Sequence, residues 1–321
     1  MNSSLFSEIM SNYTMEKIPY FFLVDFEMEQ PFICKLDEAR DFDVFYNLNG
    51  KTNVQEEVIN ETPVLDWFPI NKMEYSAKLD RVVEYLKNGD SYLTNLTFPT
   101  PIQINLSLQE VFHKSKASYK LLFKNDFVVF SPESFVKITG NKISTYPMKG
   151  TIDATLPHAE QQLLDNEKEA WEHHTIVDLM RNDLSIIAEN IQVDKFRFID
   201  KIKTHKGEIL QTSTAISGTL PENWQLDFGE RFLKLLPAGS ISGAPKKKTI
   251  EIIQAVEGQK RGYYTGVFGI FDGNNVDSAV AIRFIEKRKE DFLFRSGGGI
   301  TANSDVEKEY KELLQKIYIP I

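Results

Sequence analysis

Apolar residues along the chain fall into short runs with two different periods. Residues 1–75 mix runs such as Tyr20-Phe21-Phe22-Leu23-Val24 with polar connectors, and Asn47 to Pro63 reads as a polar loop. From Met73 the pattern tightens into a helix over 73–88, ended by Asn88-Gly89. Strands are predicted at 91–98, 118–123, 126–131, 134–139 and 142–147, then one long helix over 158–183. Strands near 186–202 and 208–220 follow, with a helix at 227–236, the loop "PAGSISGAPK" and a helix from Pro245 to about Val256. Three β-rich stretches at 263–272, 276–286 and 291–296 lead through "SGGGI" to a last helix reaching about Tyr318. Hairpin-spaced strands of this kind predict antiparallel sheets with helices packed outside, an α+β domain. No internal repeat, low-complexity segment or long linker divides the chain, so a single domain is expected.

Composition narrows the class. The 321 residues are 42% apolar, carry a net charge of −9 and contain no long basic run, which argues against nucleic acid or an anionic membrane as partner. The amino terminus, Met1-Asn2-Ser3-Ser4, lacks a basic region followed by an apolar core, and no apolar run approaches the ~18 residues of a membrane span. The single cysteine, Cys34 in "PFICKL", excludes an internal disulfide and a multi-thiolate metal site, and reads most simply as core. A soluble cytoplasmic protein is expected.

Candidate chemistry begins with glutamates. Ser304-Asp305-Val306-Glu307 predicts a capping box opening the last helix, with Val306, Tyr310, Leu313 and Ile317 as its buried stripe. Glu309, Glu312 and Lys316 border that stripe, while Glu169 and Glu172 edge the long helix on the side of Ile176 and Leu179. Two such pairs could meet and bind a hard cation through oxygen, because carboxylates that close repel unless a cation compensates. Solvated helix glutamates have the same spacing, so the pattern alone leaves both readings open. His173 and His174 lack a spaced histidine partner and read as packing or surface residues. Lys246, Lys247 and Lys248 occupy a first helical turn where the macrodipole disfavours cations, which fits an anionic ligand, an acidic neighbour or plain solvation. "SGGGI" permits close backbone approach but lacks the spacing of a dinucleotide fingerprint. Arg283, inside the apolar run "AVAIRFI", would pair with a carboxylate of the protein or of a ligand.

The order of "SPESF", "PMKGT", "EAWEHHTIVDLMRNDLS", "PAGSISGAPK", "RGYYTG", "AIRF" and "GGGITANSDVEKEYKE" resembles the chorismate-utilising enzymes, the family of anthranilate, isochorismate, salicylate and aminodeoxychorismate synthases. The resemblance covers roughly residues 75–321. It implies a large α/β sandwich of two antiparallel sheets with helices outside, with 1–75 a variable part of the same domain and 76–321 the chorismate-binding catalytic core. It further implies Mg2+ held by Glu172 and Glu312, with Glu169 and Glu309 as companions. One chorismate carboxylate would bridge that ion. The other would meet Arg283, the Tyr264 hydroxyl and backbone N–H groups of Gly297, Gly298 and Gly299. Gly150, Thr151 and Lys316 match further substrate-contacting positions.

Lys149 separates the branches. By resemblance, anthranilate, isochorismate and salicylate synthases generally have alanine there, whereas the aminodeoxychorismate branch, which serves para-aminobenzoate and folate synthesis, has lysine. The implied chemistry is covalent: the amine adds at C2 as the C4 hydroxyl leaves, and ammonia then adds at C4 and expels the lysine. A lysine is a nucleophile only as the neutral amine, a form favoured by desolvation and nearby cations. Glu133 matches the proposed general acid, on a strand expected to neighbour that of Lys149. Without the resemblance it reads as a turn residue after Pro132. Ammonia would come from a separate glutamine amidotransferase subunit. Departures from the family pattern include Ala238 in place of the second residue of "PGGS", His174-Thr175 in place of two apolar residues, and Gln211 where anthranilate synthases have histidine. No tryptophan-site motif stands near the amino terminus, so tryptophan feedback is not expected. Another branch of the family, or a chorismate-binding paralogue without turnover, remains as an alternative.

Overall fold

The strand Tyr20–Val24 is buried at every residue, and the reason is the architecture. Tyr20, Phe22 and Val24 face a helical layer together with Phe6, Met180 and Phe232, while Phe21 and Leu23 face a second sheet through Tyr46, Leu121 and Val129. A computed structural model describes residues 1–55, 57–204, 207–289 and 291–321. Within them, two sheets of nine strands each form a sandwich, and every pairing is antiparallel.

The first sheet runs from Met148–Asp153 through Gly207–Thr219, Lys142–Thr145, Ser134–Thr139, Asn275–Val280, Val267–Phe271 and Tyr20–Val24 to Phe32–Lys35, with Glu189–Thr204 paired to Gly207–Thr219. The second includes Leu93–Ile104, Asp291–Ile300, Phe284–Arg288, Phe127–Ser131, Tyr119–Phe123 and Val44–Leu48 in that order. Helices Ser3–Met15, Glu167–Ser185 and Phe228–Lys234 cover the outer face of the first sheet. Helices Lys72–Lys87, Lys246–Glu257 and Val306–Gln315 pack together with Leu96, Phe98 and Ile300 of the second.

Several elements differ from the pattern-based expectation. The supposed loop after Asn47 contains a hairpin of Val44–Leu48 with Lys51–Thr52, turned by Asn49 and Gly50, both with positive φ (49° and 88°). The long helix divides into Ala159–Leu164 and Glu167–Ser185, because Asn166 takes an extended conformation and its side chain accepts the N–H of Glu169. The last helix has no Ser304–Glu307 capping box. Asp305 is the N-cap, accepting from Lys308, and Ser304 instead donates to Glu309. Pro245 caps the Lys246–Glu257 helix rather than lying in its first turn. The stretch 276–286 is two strands in different sheets, Asn275–Val280 and Phe284–Arg288. Arg283 therefore does not sit mid-strand; at φ 55° it makes the bend that carries the chain from one sheet to the other.

Candidate functional site

Two chain crossings between the sheets carry charged residues. Pro132-Glu133 joins Phe127–Ser131 of the second sheet to Ser134–Thr139 of the first, and Arg283 stands on the return crossing. Glu133 is half-buried and accepts a hydrogen bond from the Ser240 hydroxyl. Burial raises its carboxyl above the ordinary range, opposed by that bond and by the charges of Lys149, Arg283 and Lys316. Three cations thus converge on one protonatable acid. The strand after Glu133 pairs with Lys142–Thr145 and Asn275–Val280, not with the strand of Lys149, which corrects the expected strand neighbourhood.

Lys149 is the second residue of Met148–Asp153, a strand separated from Lys142–Thr145 by Tyr146-Pro147 and paired along the same neighbour, Gly207–Thr219. It is therefore not at a strand end. Its carbonyl accepts from the Thr212 hydroxyl. The register shifts between Lys149 and Thr151, where Gly150 takes φ 70°. A Cβ there would also stand 3.0 Å from Leu163 and 3.2 Å from a Glu169 carboxylate oxygen, so the bulge brings the backbone against the helix that bears the first glutamate pair. Lys149 Nζ lies 3.5 Å from Glu172 Oε2 and 3.7 Å from the place a Cβ on Gly299 would occupy. The amine is thus directed at the glycine strand, with Glu172 beside it. Thr151, opposite Gln211, is exposed at the rim.

The glycines lie on Asp291–Ile300, opposite Thr97, Leu96 and Asn95. A Cβ on Gly298 would stand 3.6 Å from Glu312, 3.7 Å from Lys316 and 3.8 Å from Glu309. Side chains at neighbouring strand positions point to opposite faces, so Gly298 looks toward the second glutamate pair and Gly299 toward Lys149. Lys316 donates to the Gly297 carbonyl at 2.8 Å and pairs with Glu312 at 2.7 Å. Burial lowers its amine from the ordinary lysine value, against the opposing pull of Glu312. Glu309 is buried and accepts from Ser304 at 2.8 Å.

The four glutamates thus approach the glycine strand as two pairs. Among the described residues, no three His, Cys, Asp or Glu side chains converge at metal-binding distances. The donor set still fits a hard divalent ion in kind, being carboxylate oxygen throughout, and one glutamate of each pair already has a cationic partner in Lys149 or Lys316. Arg283 stacks over the Tyr318 ring at 5.4 Å, and its buried Nε has no hydrogen-bond partner among the described residues. Tyr264 is buried near it, its hydroxyl pushed up to about 12 chiefly by burial.

Other readings sort out plainly. Lys246 meets an acidic neighbour, Asp183, at 2.9 Å, whereas Lys247 and Lys248 are exposed. Ala238 has φ −58°, so its replacement of glycine costs no backbone strain. Cys34 is buried in the core. His174 is exposed and lies against Phe196, while His173 is fully buried, its imidazole lowered to about 4, first by desolvation. Sequence reasoning missed Ser240, Thr212 and Thr214. Ser240 sits in the loop flagged for an anion, yet its partner is a side chain of the protein.

No described helix is long and apolar enough to cross a membrane. A family model described as "chorismate binding enzyme" matches residues 19–321. Proteins named as uncharacterized PabA-like proteins of Haemophilus influenzae and Pasteurella multocida are 56% and 53% identical, covering 98% and 100% of this chain and 96% and 100% of their own. An anthranilate synthase component 1 of Haloarcula marismortui is 32% identical over 75% of this chain and 51% of its own. The aminodeoxychorismate synthase component 1 of Bacillus subtilis is 30% identical over 78% and 55%. The chain spans about half the length of these last two, and identity does not choose between them. Among solved structures, the menaquinone-specific isochorismate synthase of Escherichia coli superposes with a TM-score of 0.71 at 15% identity, over 96% of this chain and 79% of that one, a likeness of fold alone.

Proposed function

We propose, from the premise that the chain belongs to the chorismate-binding enzyme family, that it is the aminating subunit of an aminodeoxychorismate synthase, converting chorismate and ammonia to 4-amino-4-deoxychorismate and water. The observation that carries this reading is the Lys149 amine, held between Glu172 and the glycine strand. A cationic side chain there has a reason to exist only if it meets a substrate or a carboxylate, and its nearest carboxylate is 3.5 Å away, beyond a good hydrogen bond. The amine adds at C2 of chorismate. Glu133, whose carboxyl burial raises above the ordinary range, gives its proton to the C4 hydroxyl, which departs as water. Ammonia then forms the C4–N bond, the C2–N bond to Lys149 breaks, and the proton shed by the new ammonium returns to Glu133.

Arg283, whose buried Nε lacks a partner among the described residues, and Tyr264 hold one substrate carboxylate, while N–H groups of the Gly297–Gly299 backbone line the other side. Glu172 and Glu312, with Glu169 and Glu309 behind them, would hold Mg2+, which would supply a Lewis acid for the second carboxylate. A separate glutamine amidotransferase supplies ammonia in this reading. Mass spectrometry of products from chorismate, Mg2+ and ammonium tests it. The expected product keeps the enolpyruvyl ether and gains nitrogen. Anthranilate with pyruvate would place the chain in another branch, and binding without turnover would make it a non-catalytic paralogue.

A further inference from the structure

Thr214 lies two residues from Thr212 on Gly207–Thr219, so the two hydroxyls share one face of that strand. Thr212 donates to the carbonyl of Lys149. The Thr214 oxygen is 2.6 Å from His173 Nε2 and accepts the backbone N–H of Arg197 at 3.0 Å. Both Thr214 and His173 are completely buried, which makes the bonding balance decisive. A hydroxyl has one hydrogen and two lone pairs, and a neutral imidazole has one donor and one acceptor. If Nε2 carried the proton, it would take the second lone pair of Thr214. The hydroxyl hydrogen and the imidazole Nδ1 would then both be buried without partners among the described residues. If Nε2 is bare, the hydroxyl donates into it and only the Nδ1–H is left over. Each unmet buried polar group costs about 1–3 kcal/mol, so the second arrangement wins.

We propose that Thr214, acting through the Nδ1–H tautomer of His173, is a positioning residue that sets the distance between Glu172 and Lys149. His173 follows Glu172 in the same helix, so fixing its ring fixes the turn that bears the carboxylate. One strand therefore grips the lysine strand with one threonine and the glutamate helix with the next. This inference rests on the aminating reading for its consequence, but the tautomer itself does not.

Nitrogen-15 chemical shifts of the His173 ring, assigned by comparison with a His173→Gln protein, test the tautomer without any substrate. A protonated Nδ1 and bare Nε2 are expected; a protonated Nε2 would overturn the proposal. Thr214→Val removes the hydroxyl at nearly constant volume and is expected to lower kcat for chorismate amination about 10- to 100-fold with KM little changed, as displacement of a reacting group does. His173→Gln, whose side-chain oxygen can accept at the place of Nε2, should recover most of the rate lost in His173→Asn, which cannot reach it. A folded Thr214→Val protein with wild-type kcat, or equal rates in the Gln and Asn variants, would overturn the positioning role. A wild-type protein that makes no 4-amino product would instead sink the aminating reading and leave the ring assignment to stand or fall on its shifts.

Discussion

Lys149 and Lys316 flank the same glycine strand, each beside a glutamate, with nearly equal side-chain exposure (27% and 26%). Their attachments differ. Lys316 is bound twice, to Glu312 within its own helical stretch at 2.7 Å and to the Gly297 carbonyl at 2.8 Å. Lys149 comes from a bulged edge strand and faces Glu172 across 3.5 Å, an ion pair too long for a strong hydrogen bond. A doubly anchored ammonium is suited to hold a place, and a loosely paired one to react. Charge and side-chain exposure do not separate the two; the bonding geometry does.

That contrast can be broken by mutation. Lys149→Met is expected to abolish 4-amination, a loss of about 10^4-fold or more for removal of a covalent nucleophile, measured as product formation at saturating ammonium. Lys316→Gln should leave the product unchanged and weaken chorismate use by about 10- to 100-fold, the worth of charge-assisted hydrogen bonds, read as kcat/KM. If Lys316→Gln instead changed which product forms, the assignment of roles would be reversed.

Glu133, which feels the charge of both lysines, gives a sharper, smaller effect. Burial raises Glu133, and the Ser240 hydrogen bond lowers it by favouring the carboxylate. Activity requiring protonated Glu133 is full at lower pH and falls as pH rises through its raised value. Ser240→Ala removes the opposing bond, so the alkaline limb of the kcat profile should move to higher pH. A limb that stays in place or moves down would contradict the role of Glu133. Smallest of all, Gly150→Ala forces a Cβ into φ 70° and against Leu163 and Glu169, which should cost about 1–2 kcal/mol and lower Tm by a few degrees in thermal melts.

Much of this was written locally in the chain. Hairpin-spaced apolar runs predicted antiparallel sheets with outer helices, and the motif order carried the family. Asn49-Gly50 carries a hairpin-turn signal, but the polar residues around it give the stretch the pattern of a loop. Arg283 was not legible: a non-glycine residue in the left-handed region is set by the sheet-to-sheet crossing, and the run "AVAIRFI" shows only continuous hydrophobicity. The capping pattern at Ser304 failed for a similar reason: its hydroxyl donates to Glu309 and accepts the Thr301 N–H, and its own N–H goes to the Thr301 carbonyl. His173 and Thr214 stand 41 positions apart, and no local periodicity relates them.

In the proposed mechanism Lys149 bonds to the substrate during turnover. Its most direct test is rapid-quench peptide mass spectrometry of the Mg2+-loaded protein mixed with chorismate, with ammonium first withheld and then supplied. The peptide bearing Lys149 is expected to gain the mass of chorismate less one water and to lose it again when ammonium arrives. A Lys149 that stays unmodified across the first turnover while 4-amino product accumulates would contradict it.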